Sequence, residues 1–270
     1  MSPSVDGGNG MVCSTCGRRA AFYYRHSSGE RLCIACLEES LVNYVKHSFA
    51  GRIKLGKAPC ISVYIPLERI LEGFSLAYLL SKIEVKFNGH VIVMTSHEVM
   101  NALRKEGIDA LLLSRGNVSY EIIETPKLLK CLTGESIKTS IEVIRDARSS
   151  EIIQRSQAFL LPHTLTDLNE VFMEYVILGT EDLDLLDLKG VEVDGVPVIY
   201  PFRKVQRTDV IAFSYAIGSA GLIQRVTRAL TDGCIAHDLI KRLVLEVSMK
   251  HPELTYSMLK SIKFFRLPQV

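Results

Sequence analysis

Between residues 59 and 113 short apolar runs alternate with amphipathic stretches. Cys60-Ile61-Ser62-Val63-Tyr64-Ile65 and His90-Val91-Ile92-Val93-Met94 have the length and β-branched content of buried strands. Residues 75–83 and 98–106 carry apolar side chains at three- and four-residue intervals, which predicts helices, and the run at 110–113 is expected to be a further strand. This β-α-β-α-β order predicts a parallel sheet covered by helices on both faces, an α/β fold. Beyond it the pattern predicts helices over 141–155, 167–178, 208–217 and 237–249, with short strands at 158–161 and 196–200. Gly179 is placed to stop the second of these helices. No internal repeat is present.

The amino-terminal part follows another logic. Residues 1–10 are Ser, Gly and Pro punctuation and are expected to be a disordered leader. Cys13 and Cys16 are separated by two residues, sixteen residues follow, and Cys33 and Cys36 repeat the spacing. That is the arrangement of a four-cysteine zinc site. Ala20 to Arg25 alternate like one arm of a hairpin, His26-Ser27-Ser28-Gly29 suit its turn, and Leu37, Leu41, Val42 and Val45 predict a helix leading out. With all four ligands from protein, zinc would stabilise the fold and perform no chemistry. A redox or iron–sulfur role is the competing reading of the same ligands.

Composition narrows the setting. With 270 residues, 47% hydrophobic and 23% charged, the chain can bury a sizeable core. No apolar run reaches the roughly 18 residues of a membrane span, and the first ten residues lack the pattern of a secretion signal, so a cytoplasmic location is expected. Seven cysteines, four of them in C-x-x-C pairs, suit metal binding in a reducing compartment better than a disulfide framework. Charge is uneven: residues 1–57 carry 8 basic and 4 acidic side chains, 58–201 carry 13 and 21, and 202–270 carry 11 and 5. A polyanion would be drawn to the two ends.

Cys13-Ser14-Thr15-Cys16-Gly17-Arg18-Arg19-Ala20 with Ser28-Gly29-Glu30-Arg31-Leu32-Cys33-Ile34-Ala35-Cys36 resembles the amino-terminal zinc finger of the tRNA 2-thiolation enzymes, PP-loop ATP pyrophosphatases that make 2-thiouridine or 2-thiocytidine. The resemblance implies a finger followed by a Rossmann-like domain, with ATP and Mg used to adenylate a tRNA base before a sulfur donor displaces AMP. The family's phosphate loop, Ser-Gly-Gly-x-Asp-Ser, falls here on Ile70-Leu71-Glu72-Gly73-Phe74-Ser75, where only Ser75 matches. Glycines let backbone N–H groups approach pyrophosphate, and Glu72 puts a negative charge there instead. The motif Gly-His-Asn-x-Asp-Asp falls on Pro162-His163-Thr164-Leu165-Thr166-Asp167, leaving His163 and Asp167. Tyr200-Pro201-Phe202-Arg203-Lys204-Val205, with Asp209 and Phe213, resembles the family's Lys-Pro-Leu-Arg segment and the helix after it. The C-x-x-C expected ahead of residue 158 is missing. Cys131, Cys234 and Cys60 read as free cysteines, and no second finger follows Cys234.

These readings divide the chain into a leader at 1–10, a zinc finger with connecting helix at 11–56, a PP-loop-like domain at 57–217 and a helical basic tail at 218–270. The expected function is that of a degenerate member of the thiolation family, a pseudoenzyme that no longer adenylates and acts by binding tRNA. The alternatives are an active enzyme with an altered nucleotide loop and a non-catalytic partner of a thiolation paralogue or sulfur carrier. No catalytic residue is assigned. Ser75, His163 and Asp167 are the vestigial nucleotide-binding set; Cys13, Cys16, Cys33 and Cys36 hold zinc. Arg18, Arg19, Arg25 and Arg31 on the finger, with Lys241, Arg242, Lys250, Lys260 and Lys263 near the tail, are the nucleic-acid contacts. ATP and Mg are doubtful cofactors and an iron–sulfur cluster is not expected.

Overall fold

The computed structural model describes residues 11–49, 58–85, 88–124, 132–180, 185, 191–219 and 235–265. The leader, Cys131 and Cys234 lie outside these residues, as does the side chain of Lys263.

The cysteine module is a hairpin and a helix. Strands β1 (Tyr23–Arg25) and β2 (Glu30–Leu32) pair antiparallel, turning through Gly29 at φ 70°, and α1 (Ile34–Phe49) follows at once. Leu37, Leu41 and Val45 form the fully buried stripe of α1 and join the same apolar core as Val210 and Phe213. The hairpin is also tied by polar contacts. The Tyr23 hydroxyl donates to Asp209 Oδ1 at 2.7 Å, and Arg25 Nε meets Asp209 Oδ2 at 3.0 Å.

The main sheet has six strands: β3 (Cys60–Ile65), β4 (His90–Thr95), β5 (Val118–Ile122), β6 (Ala158–Leu160), β7 (Val191–Val193) and β8 (Val196–Ile199), in the spatial order β5-β4-β3-β6-β8-β7. All neighbours are parallel except β7 and β8, a hairpin that turns at Asp194 and Gly195, both at positive φ. One face carries α1, α2 (Ile70–Glu84), α3 (His97–Lys105), α4 (Ile108–Leu113) and α8 (Arg207–Ala216). The other carries α5 (Thr133–Ala147), α7 (Leu165–Leu178) and the final helix α10 (Pro252–Phe265), with the four-residue α6 (Glu151–Gln154) between α5 and β6. Helix α9 (Ile235–Lys250) packs on α7 and α10. Along β3, Ile61, Val63 and Ile65 face the first core and Tyr64 the second, the period-two alternation that a sheet covered on both faces requires. Among the described residues no helix is long and apolar enough to cross a membrane.

The expected α/β class and most elements hold, with two corrections. Residues 110–113 are helical, because Gly107 at φ 69° opens α4 and its buried residues Ile108 and Leu112 sit four apart. The third strand is β5, whose run Val-Ser-Tyr-Glu-Ile is only half apolar. The helix expected over 141–155 is two helices, α5 starting eight residues earlier and α6 beginning after a turn at Ser149 and Ser150.

Strand order reverses between β3 and β6, both leading into connections on the same edge. In open α/β sheets ligands bind in the crevice at that point. Here β3 ends in a short 3-10 turn, Leu67–Arg69, that runs directly into α2. Gly73 lets α2 lie close on β3, since a Cβ there would come within 2.6 Å of the Ile65 side chain.

Candidate functional site

Two clusters of chemistry stand out. In the first, the sulfurs of Cys13, Cys16, Cys33 and Cys36 all lie within 4.8 Å of one another, with Cys16 Sγ and Cys33 Sγ 3.9 Å apart. Local backbone chemistry builds each knuckle. Gly17 at φ 63° donates its N–H to Cys13 O at 2.9 Å, and Leu37 N–H donates to Cys33 O at 3.0 Å. Backbone N–H of Cys16 stabilises the Cys13 thiolate and holds its pKa at about 6. Ligands about 2.3 Å from a tetrahedral ion are separated by about 3.8 Å, so this sulfur set fits one metal ion. A cubane cluster seats each cysteine on a different iron and spreads the sulfurs further apart.

The second cluster lies at the switch point. Asp167, wholly buried near the start of α7, accepts hydrogen bonds at Oδ2 from Thr164 N–H and Thr164 Oγ1, each at 2.7 Å, which closes a capping box. Its other oxygen accepts from Arg69 Nη2 at 2.7 Å and from Arg207 Nη2. Arg207 also reaches Glu170 at 3.1 Å and Glu72 at 3.6 Å. One turn along α7, Glu174 accepts from the backbone N–H groups of Thr133 and Gly134 at 2.7 and 2.9 Å, while Thr133 Oγ1 donates to Glu170 at 2.8 Å. The positive amino terminus of α5 is therefore satisfied by carboxylates of α7. Burial alone would raise the pKa of Asp167, but Arg207 and Arg69 outweigh it and hold the carboxyl well below its usual range. Burial raises the pKa of Glu72, which Arg69 and Arg207 only partly offset.

Chemically this is an anion site already filled by anions. Two guanidinium groups and a helix amino terminus converge at the crevice, and Glu72, Asp167, Glu170 and Glu174 occupy them. The network continues into the carboxyl-terminal helices: Asn169 Nδ2 donates to Thr255 O at 3.1 Å and Gln206 Nε2 to Thr255 Oγ1 at 2.9 Å.

His163 is completely buried beside this network, and both ring nitrogens are without a hydrogen-bond partner among the described residues. Its ring stands edge-on to Tyr200, 6.1 Å between centroids. Burial lowers its pKa to about 4. A histidine buried neutral contributes stability that is complete above its unfolded pKa of about 6.5 and is lost as pH falls toward the folded value, here a loss of about 3 kcal/mol. Urea unfolding at pH 7 and pH 4.5 should show this loss in the wild type and a shallower slope in His163→Gln. Equal slopes would remove His163 as the source.

The sequence-predicted residues divide. His163 and Asp167 do come together at the switch point. Ser75 does not join them: it sits beyond the first turn of α2, fully buried, where backbone N–H groups are taken up by the helix, so it offers no phosphate loop. Arg25 is corrected as a nucleic-acid contact, because it is buried and engaged by Asp209, by Glu30 at 3.1 Å and by Ser40. Lys241 is also corrected. It is half-buried, burial lowers its pKa, and it faces Glu170 across the network. Lys250 pairs with Glu246 at 2.5 Å but stays exposed. Arg18, Arg19, Arg31, Arg242 and Lys260 are exposed. Arg69, Glu170, Glu174 and Arg207 were not singled out from sequence, since nothing in the order of residues links turns and helices so far apart.

No family model matches the chain, and no curated protein matches it. Among solved structures it is similar to the U34-tRNA thiolase NcsA from Methanococcus maripaludis with its [4Fe-4S] cluster, at TM-score 0.65 and 16% identity over 94% of this chain and 87% of that one. The chain shares that thiolase's fold. That neighbour carries a [4Fe-4S] cluster, in contrast to the expectation from sequence that this chain holds none.

Proposed function

We propose that this chain is a tRNA-binding protein built on the tRNA thiolase fold, with one structural zinc ion on Cys13, Cys16, Cys33 and Cys36 and without ATP-dependent adenylation. The observation that carries this reading is the carboxylate-filled crevice. A nucleotide's phosphates entering at the switch point would meet Glu72, Asp167 and Glu170 and would have to displace them from Arg69 and Arg207. Removing one partner from a buried ion pair costs about 3–5 kcal/mol. An incoming phosphate gains the same arginines but leaves the carboxylates buried and uncompensated.

Zinc is favoured by the sulfur spacing, and it would hold the finger without taking part in a reaction. Exposed Arg18, Arg19 and Arg31 at one end and Arg242 and Lys260 at the other supply the cationic groups for an RNA backbone. Two measurements test the reading. Calorimetric titration of the metal-loaded protein with millimolar Mg-ATP should give no saturable heat, and a clear plateau would return the chain to the enzymes. Filter binding of tRNA should show affinity that falls steeply with salt, because phosphate contacts release counterions.

A further inference from the structure

The finger hairpin has two faces of opposite character. Tyr23, Arg25, Glu30 and Leu32 point toward the body of the protein, as the cross-strand pairs Tyr23 with Leu32 and Arg25 with Glu30 require. The other face carries Phe22, Tyr24 and Arg31. Tyr24 and Arg31 are direct cross-strand neighbours, and Phe22 extends the ladder through its N–H to Leu32 O at 2.8 Å. Phe22 and Tyr24 are 42% and 50% exposed. A third ring joins them from the end of α8: Tyr215, 54% exposed, lies near-parallel to Phe22, 6.5 Å between centroids at 16°. His26 at the hairpin turn stands edge-on to Tyr24 at 5.0 Å. Side chains this apolar are left in water on a strand that could have placed any polar residue there.

The charge of this face selects its occupant. Met11 to Cys33 contains four arginines and a single acid, Glu30, which Arg25 and Ser28 engage on the opposite face. Helix α8 contributes no free carboxylate either, since its acidic residue Asp209 is held by Tyr23 and Arg25. Arg18 and Arg19 line a surface cavity of about 390 Å³ beside Cys16 and Cys36, where four thiolates and a divalent ion would leave negative charge to balance. Arg31 then remains as the cation of the aromatic face, with no acidic partner among the described residues.

We propose that Phe22, Tyr24 and Tyr215 form a stacking platform for unpaired bases of RNA, with Arg31 holding a neighbouring phosphate; this rests on the reading of RNA as the partner. Exposed rings on a sheet surface beside a guanidinium suit bases, which all present a π-face, whereas a duplex hides those faces. The site is separate from the filled crevice, so it needs no nucleotide there and no chemistry.

Fluorescence anisotropy of the metal-loaded full chain with a fluorescein-labelled single-stranded oligoribonucleotide tests it. Tyr24→Ala and Tyr215→Ala should each bind about tenfold more weakly with the salt slope unchanged. Tyr24→Phe should bind as the wild type, and Arg31→Ala should lower the salt slope by about one. All three positions are exposed, so metal content and folding should be preserved. If the wild type binds and the ring-deleted variants bind equally well, RNA touches the chain elsewhere and the platform is overturned while the RNA reading stands. Failure of the wild type to bind either the oligonucleotide or bulk tRNA would overturn both. A blunt duplex bound as tightly as the single strand, or a copurifying protein lost in Tyr24→Ala with RNA affinity intact, would also overturn the platform.

Discussion

Asp167→Ala should destabilise the folded chain by about 3–5 kcal/mol, the range for breaking a buried ion pair from one side. Three losses coincide at this residue. Arg69 and Arg207 each lose their shared oxygen, and the capping box at the head of α7 opens, itself worth about 1 kcal/mol. Glu170 and Glu72 still neutralise Arg207, which keeps the cost from growing further. The sign with pH follows from the depressed pKa. Stability from Asp167 is fully present above its unfolded value of about 3.9 and disappears as pH falls toward the folded one. Urea unfolding at pH 7 should therefore show a lower midpoint with an unchanged slope. A change under 1 kcal/mol would mean that the crevice is open to other anions and that its carboxylates are not structural. Asp167→Asn should fall between the two, because it keeps a cap acceptor but removes the charge.

What the sequence disclosed depended on range. Cys13, Cys16, Cys33 and Cys36 were legible because metal ligation is written in local spacing, and β3, β4, α1, α3 and α7 because burial imposes a period on adjacent residues. The strand misplaced at 110–113 shows where this fails: four apolar residues satisfy a strand or one turn of a helix equally, and Gly107 decided it. Glu72 was legible as an obstacle to phosphate, but what it does instead was not. Its partner Arg207 lies at the head of α8, and the two meet only because α2 and α8 pack side by side. Arg25 failed for the same reason. In the sequence it is one more arginine of a basic finger, and only docking against α8 reveals Asp209 as its partner. Long-range ion pairs leave no periodic trace, so a charged residue in a strand can be read from sequence as exposed when the fold buries it.

Removing the metal should have the larger effect. Structural zinc binding contributes about 10–16 kcal/mol in isolated fingers at neutral pH, far more than the hairpin of β1 and β2 can supply from its own contacts. In this chain the finger does not hang free. Leu32, Leu37, Leu41, Val45 and Phe49 belong to the core shared with α2 and α8, and the buried Asp209 is hydrogen-bonded by Tyr23 and paired with Arg25. Loss of the ion from Cys33→Ser, or by chelation, should therefore unfold the hairpin, leave Asp209 unpaired and loosen α1 and α8 together. Metal analysis should find one zinc per wild-type chain and none in the variant, with limited proteolysis cutting first between Met11 and Cys33. Melting of the rest of the domain should follow at a lower temperature. A wild-type protein containing iron with broad visible absorption would replace zinc by a cluster, while retaining the same dependence of the fold on the four thiolates. Full stability in Cys33→Ser would instead mean that packing of α1 alone holds this end of the molecule, and the metal would then have to be explained by something other than folding.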